Sequence, residues 1–224
     1  MRMVVGYSIP RIPNGWAQAQ RDEENRKRIE RGSEIHGYIV MRYQGKKDYP
    51  VCSEMDNFEK WVIKTGFRAC KWEMYVHSKD GNSKGKFDVI GTIGSIPVLI
   101  DWKTGSNPDL ENAAKQLNLY AKLINEDKES LGFESSFPTH KLRKLIVYDF
   151  NRREGLRMAE VIGDSYKRVD FDTVTQKIIP YQETESERDA RERIRNINRP
   201  MTGIEKLQLI GMILVLIAIA LILG

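Results

Sequence analysis

Cysteine is scarce in this sequence, and its scarcity excludes several kinds of site. Two cysteines, Cys52 and Cys70, occur among 224 residues, whereas a structural zinc site or an iron–sulfur cluster generally needs four such ligands. We therefore expect two reduced thiols, as in a cytoplasmic protein, and no iron–sulfur cluster. The first residues also lack the long apolar run of a signal peptide.

Long hydrophobic runs are missing as well, except near the end of the sequence. Residues 207–223 contain no charged side chain, and a helix of about 18–20 residues is long enough to cross the hydrocarbon core of a bilayer. We predict a single transmembrane helix over residues 204–224, embedded in lipid through 207–223. The alternatives are a helix buried in a protein core and a helix that mediates oligomerisation.

The charge of the remaining chain is positive, and this bears on possible partners. The net charge is +5, which favours phosphate groups of nucleic acid or of anionic lipid. Basic residues precede the apolar segment, so the positive-inside rule places the rest of the protein in the cytoplasm. Residues 181–203 are predicted to be a charged linker or helix. Its arginines leave two alternatives open, a solvated helix or a basic stalk that faces phosphates.

The remaining residues, 1–180, are predicted to form one α/β domain with a central mixed sheet flanked by helices. Residues 16–43 have a helical pattern, and Gly32 marks a point where the helix bends or a second helix begins. The predicted shorter elements are a helix at 56–65 that ends at Gly66, strands at 69–77, 86–93, 96–102, 142–150 and 156–162, a helix from Asn107 to about 125, and a helix at 172–179.

Two carboxylates and a lysine lie at the ends of two of these strands. A hairpin that turns at Gly94 and Ser95 would place Asp88 opposite Asp101, and like charges this close require a cation between them. Lys103 is two residues beyond Asp101 and so points to the same face of the strand. Carboxylates on Mg²⁺ or Mn²⁺ beside a lysine suit the hydrolysis of a phosphodiester.

These residues belong to a longer pattern. In order along the chain come Gly32 and His36, Gly85-Lys-Phe-Asp88, an apolar strand, Asp101-Trp-Lys103-Thr-Gly105 and Gln116-x-x-x-Tyr120. The pattern covers about residues 30–150 and resembles the RecB-type branch of the PD-(D/E)XK nuclease superfamily. That branch includes the RecB nuclease domain, CRISPR adaptation nucleases, phage exonucleases and the mitochondrial genome maintenance exonuclease. The apolar tail is unusual for this branch, and some relatives carry four cluster-binding cysteines that this chain lacks.

The resemblance implies a restriction-endonuclease-like core and a role for each matched residue. Lys103 would be the catalytic lysine. Gln116 and Tyr120, one helical turn apart, would orient the lysine and contact DNA, and Glu73 would be a supporting acid. The implied ligands of the divalent ion are the side chains of His36, Asp88 and Asp101 and the backbone carbonyl of Trp102.

The sequence therefore predicts a Mg²⁺- or Mn²⁺-dependent deoxyribonuclease tethered to a membrane. The resemblance favours an exonuclease that acts on single strands or duplex ends. One alternative is a membrane-anchored nucleic-acid-binding protein without turnover, and another is a structural tail-anchored protein. The choice between exonuclease and endonuclease, the polarity, the choice of DNA over RNA, the oligomeric state and the protein partners are not encoded in these motifs.

Overall fold

The fold is seen in a computed structural model, which describes residues 14–46, 48–133 and 137–197. The chain divides into two units, Met1–Tyr181 and Gln182–Gly224. The first unit contains one mixed sheet of seven strands, with helices on both faces of the sheet. The predicted α/β class, with a mixed sheet flanked by helices, is confirmed.

The sheet has its strands in sequence order, from β1 at one edge to β7 at the other. Neighbouring strands are antiparallel except β3 and β4, which are parallel and are connected through helix α3. The bounds are β1 Phe67–His77, β2 Lys84–Ile93, β3 Ile96–Lys103, β4 Arg143–Tyr148, β5 Arg157–Ile162, β6 Ser165–Asp172 and β7 Lys177–Pro180.

Helices cover the two faces of the sheet. On one face, α1 (Asn14–Tyr43) and α2 (Ser53–Thr65) bury Ile35 and Phe58 against Val98, Ile100 and Trp102 of β3. On the other face, α3 (Leu110–Glu126) buries Ala114 and Leu117 against Leu99 and Ile146. A short 3₁₀ turn, Thr139–Lys141, leads into β4. The alternation of side chains along β3 thus feeds two separate apolar cores.

The predicted hairpin register is confirmed. Val89 pairs with Ile100 and Ile93 pairs with Ile96, so the turn lies at Gly94 and Ser95. Gly94 has a positive φ of 58°, which suits a tight turn. The same register brings residues 88 and 101 to the same level of the hairpin.

Three predictions about the elements were wrong. Helix α1 continues through Gly32 without a break. Helix α3 begins at Leu110 and not at Asn107. Its N-cap is Asp109, whose carboxylate accepts a hydrogen bond from the backbone N–H of Asn112 at 3.0 Å. The predicted helix at 172–179 is instead the end of β6, a turn and β7. Side chains alternate between buried and half-buried just before that turn, which is a strand periodicity.

In the second unit, Glu185–Ile197 forms helix α4, with side chains that are exposed or half-buried where they are described. This agrees with the prediction of a charged helix in this segment. None of the helices in the described ranges is both long and apolar enough to cross a membrane. The predicted transmembrane segment, 204–224, lies outside these ranges.

Candidate metal centre

An open cleft of about 1130 Å³ lies where the β2–β3 hairpin meets α1 and the loop before α3. Because β3 and β4 end at the same edge, the loop after β3 is anchored there: the backbone N–H of Asp149 donates to the carbonyls of Lys103 and Gly105 at 3.3 and 3.2 Å. At Gly32, an added Cβ would lie 3.1 Å from Oγ1 of Thr104, so the glycine lets α1 approach the loop closely. The cleft is lined by Arg28, Ile29, Gly32, Ser33, His36, Gly37, Val40, Glu73, Lys86, Asp88 and residues 102–109.

His36 projects from α1 into this cleft, and its protonation state follows from its contacts. Its Nε2 lies 3.0 Å from the backbone carbonyl of Trp102, which can only accept, so Nε2 carries the proton. Burial lowers the pKa of the imidazole. The ring is therefore neutral near pH 7, and its Nδ1 is an unprotonated acceptor that lies 3.8 Å from Oδ1 of Asp88. At that protonation state the two atoms do not form an ion pair.

The backbone of Trp102 in β3, which contacts His36, also holds Asp88. Its Oδ2 accepts a hydrogen bond from the backbone N–H of Trp102 at 2.7 Å. Burial raises the pKa of the Asp88 carboxyl, partly offset by that hydrogen bond. The second oxygen, Oδ1, faces Nδ1 of His36, so two acceptors point at each other. A cation or a shared proton between them removes the conflict.

Glu73, at the centre of β1, completes a cluster of three. Donor atoms of His36, Glu73 and Asp88 all lie within 4.8 Å of one another. The backbone of Glu73 has φ = +53° within a strand, a left-handed conformation that costs about 1–3 kcal/mol for a residue with a side chain. Such strain commonly occurs at functional sites, and here it accompanies a carboxylate that turns toward the cleft. Glu73 also forms an ion pair with Lys86 of β2.

Asp101 and Lys103 form a neighbouring pair outside this cluster. Nζ of Lys103 lies 2.8 Å from Oδ2 of Asp101, a buried oxygen, and the two groups form an ion pair. Burial, and then the charge of Asp88, raises the pKa of Asp101. Lys103 also donates to Oε1 of Gln116 at 3.4 Å, which positions it between β3 and α3.

Tyr120 lies one turn beyond Gln116 on the same face of α3. Its ring packs against the backbone of β2 at Gly85, where a Cβ would overlap the ring atoms. Burial raises the pKa of the phenol, and the carboxylates of Asp101 and Asp88 raise it further. Gly85 is thus required by the close approach of an aromatic ring to the strand that carries Asp88.

The structure brings most of the residues predicted from sequence to one place. His36 and Asp88 share a cluster, and beside it Lys103 contacts both Gln116 and Asp101. The carbonyl of Trp102, predicted as a metal ligand, accepts a hydrogen bond from His36. Glu73, predicted as a supporting acid, lies in the cluster with His36 and Asp88.

The donor set fits a divalent cation. One neutral imidazole nitrogen and two carboxylates are ligands that Mn²⁺ accepts readily, and carboxylates are the protein ligands that Mg²⁺ prefers. His36 donates its second ring nitrogen to a backbone carbonyl, the arrangement that usually orients a metal-binding histidine. His36, Glu73 and Asp88 would therefore hold the ion, with Asp101 close by.

No protein-family profile matches this chain, and no curated protein is significantly similar to it in sequence.

Proposed function

We propose that the protein is a Mg²⁺- or Mn²⁺-dependent deoxyribonuclease of the PD-(D/E)XK type. The observation that carries the proposal is the cluster of His36, Glu73 and Asp88, whose donor atoms converge within 4.8 Å, with Lys103 beside it. These side chains line an open cleft, which is accessible to a polymeric substrate. A purely structural cluster would pair its acceptors with donors, whereas Nδ1 of His36 here faces a carboxylate.

The chemistry divides between the ion and the lysine. A bound divalent ion would neutralise charge on the scissile phosphate and lower the pKa of a water. Lys103 lines the cleft, where its ammonium can hydrogen-bond to the phosphate and stabilise the charge that develops during attack. Asp101 and Gln116 hold that ammonium in place from two sides. Tyr120 supports the strand that positions Asp88.

DNA as the substrate, exonucleolytic action and a preference for single strands or duplex ends follow from the family resemblance, and they are part of the proposal. The positive net charge of the chain supports a polyanionic substrate.

End-labelled single-stranded and duplex DNA, incubated with the full-length chain in mild detergent with Mn²⁺, Mg²⁺ or EDTA, test the proposal. Cleavage should require the metal. Asp88→Asn and Lys103→Met should each lower the rate about 100-fold or more. Asp48→Asn makes the same chemical change at an exposed position in the α1–α2 loop and should leave the rate unchanged. Metal-independent cleavage, or full activity of both variants, would refute the proposal.

The same substrates separate an enzyme from a binding protein without turnover. For an enzyme, Asp101→Ala should abolish cleavage and leave DNA binding in EDTA largely intact. A binding protein would give no metal-dependent cleavage before or after the substitution.

We further propose that residues 207–223 anchor the nuclease to a membrane, with the enzyme on the cytoplasmic side. The support is the uncharged composition of this segment. Membrane fractionation of the full chain against a chain that ends at Pro200 tests the anchor. Equal solubility of the two would rule it out.

A further inference from the structure

Tyr75 occupies a distinctive position beside the metal centre. It lies in the edge strand β1, two residues beyond Glu73, and it pairs with Lys86 across the β1–β2 ladder. Side chains of residues paired across a ladder lie on the same face of the sheet, so Tyr75 shares the face of Lys86, beside Glu73. Lys86 lines the cleft.

The side chain of Tyr75 is 66% exposed. Among the Phe, Tyr and Trp side chains whose exposure the structure describes, it is the one whose surface is mainly open to solvent. A single exposed apolar group is common on protein surfaces and has no meaning alone. Here Tyr75 adjoins the cluster of His36, Glu73 and Asp88, and the ammonium of Lys86 lies next to its ring.

Lys86 provides that cation. Its Nζ lies 6.0 Å from the centroid of the Tyr75 ring and forms an ion pair with Glu73. The Lys86 side chain is 42% exposed, so its ammonium is reachable from the cleft. A divalent cation bound to the Glu73 carboxylate would neutralise part of its negative charge and weaken its ion pair with Lys86. The ammonium then has capacity for another anion, next to an exposed aromatic ring.

We propose that Tyr75 and Lys86 form a docking site for one nucleotide of a single strand, with the base stacked on Tyr75 and its phosphate on Lys86. This inference rests on the proposed nuclease function and assigns two residues to the single-strand preference that the function includes. A base within a duplex has both faces stacked on its neighbours, so only an unpaired or terminal base can stack on a side chain. The site therefore favours single strands and frayed ends over duplex interiors.

Binding without cleavage tests the inference directly. The probes are fluorescein-labelled oligothymidylate and a blunt duplex, measured by fluorescence anisotropy with the full-length chain in detergent, in Ca²⁺ and in EDTA. Tyr75→Ala should weaken single-strand binding at least about fivefold, the lower end of what one base stacked on an aromatic ring contributes. Tyr75→Phe should bind like wild type, because it keeps the ring. Duplex binding should weaken less than single-strand binding in Tyr75→Ala, because only the terminal bases of a duplex can stack on the ring.

One control and two further measurements locate the contact. Val174→Ala shortens an apolar side chain that is 89% exposed in the β6–β7 turn, and it should leave binding unchanged. Lys86→Gln should reduce the slope of log affinity against log salt by about 0.7, as expected for one phosphate contact on a single strand. An abasic nucleotide placed at successive positions should, at one position only, remove the difference between wild type and Tyr75→Ala.

The outcomes distinguish this inference from the proposed function. If the wild-type chain cleaves DNA with Mn²⁺ and Tyr75→Ala binds single strands as tightly as wild type, the docking site is wrong and the nuclease proposal stands. Equal weakening by Tyr75→Phe and Tyr75→Ala would also overturn it, because the hydroxyl rather than the ring would then make the contact. A wild-type chain that neither binds nor cleaves nucleic acid refutes the proposed function itself.

Discussion

Asp88→Asn should make the metal-free protein more stable. In the folded chain the Asp88 carboxyl is buried, and its pKa is raised above the value in an unfolded chain. An amide of the same shape can still accept the hydrogen bond from the backbone N–H of Trp102. Its NH₂ group can in addition donate toward Nδ1 of His36, which faces a carboxylate in the wild type. The substitution removes a buried charge and keeps the geometry.

The size of the effect follows from the shift in pKa. Above the raised pKa, each unit of upward shift costs the folded state about 1.4 kcal/mol. A free energy of 1 kcal/mol corresponds to roughly 2–4 °C in the melting temperature of a chain of this size. We therefore expect Asp88→Asn to melt at least about 3 °C higher than wild type at pH 8 in EDTA.

The dependence on pH identifies the cause. The folded chain keeps its carboxyl proton at a pH where the unfolded chain has lost it, so the wild type loses stability as the pH rises from about 4 through the raised pKa. The advantage of the variant should thus be small near pH 4 and full at pH 8. Thermal unfolding followed by circular dichroism measures both.

Saturating Mn²⁺ should reverse the order of stability. A ligand present at 100 times its dissociation constant stabilises the folded state by about 2.7 kcal/mol, and only the wild type keeps the full donor set. Asp48→Asn is the control and should match wild type in every buffer. If the melting temperature of Asp88→Asn in EDTA at pH 8 is no higher than that of wild type, burial of the Asp88 charge does not destabilise the fold, and the prediction is wrong.

Three other predictions follow. Gly85→Ala should destabilise the fold by about 1–3 kcal/mol in urea unfolding, because the new Cβ overlaps the ring of Tyr120. Gly37→Ala is the control, and it should be neutral or stabilising because the space around Gly37 in helix α1 is open. Equal changes in unfolding free energy for the two variants would contradict this account. Asn57→Ala should cost about 1–3 kcal/mol, since the buried amide donates to the carbonyl of Phe150 at 2.8 Å, and an unchanged midpoint would show that this bond contributes little. The affinity for Mn²⁺, measured by calorimetry, should weaken from pH 8 to pH 6, because protons compete for carboxylates with raised pKa values; a constant affinity would argue against carboxylate ligands.

The hairpin register was predictable from the sequence because one local signal determines it. Gly94 allows the tight turn, and once the turn is placed, strand geometry fixes every pair up to residues 89 and 100. The strands β6 and β7 were missed for the opposite reason. Exposed charges such as Lys167 and Arg168 obscure the alternation of β6, and the turn before β7 depends on Gln176 with φ = +54°.

The site shows the same contrast. Asp88, Asp101 and Lys103 could be placed together because the register places them. The entry of Glu73 into the cluster depends on a left-handed backbone in the middle of a strand, which no pattern of side chains indicates. The use of the Trp102 carbonyl by His36 depends on the docking of α1, a contact between residues 66 positions apart in sequence.

The backbone N–H and carbonyl of Trp102 hold two candidate ligands, while its indole lies in the core against Phe58, Trp61 and Phe67. No side-chain replacement at this position except proline can delete those backbone bonds, but any change among the surrounding rings can tilt them. Under the proposed function, turnover should then be sensitive to mutations that never touch the cleft. Neutral drift in this aromatic interior should accordingly be slow, and a screen for lost activity should recover interior variants alongside those of the donors.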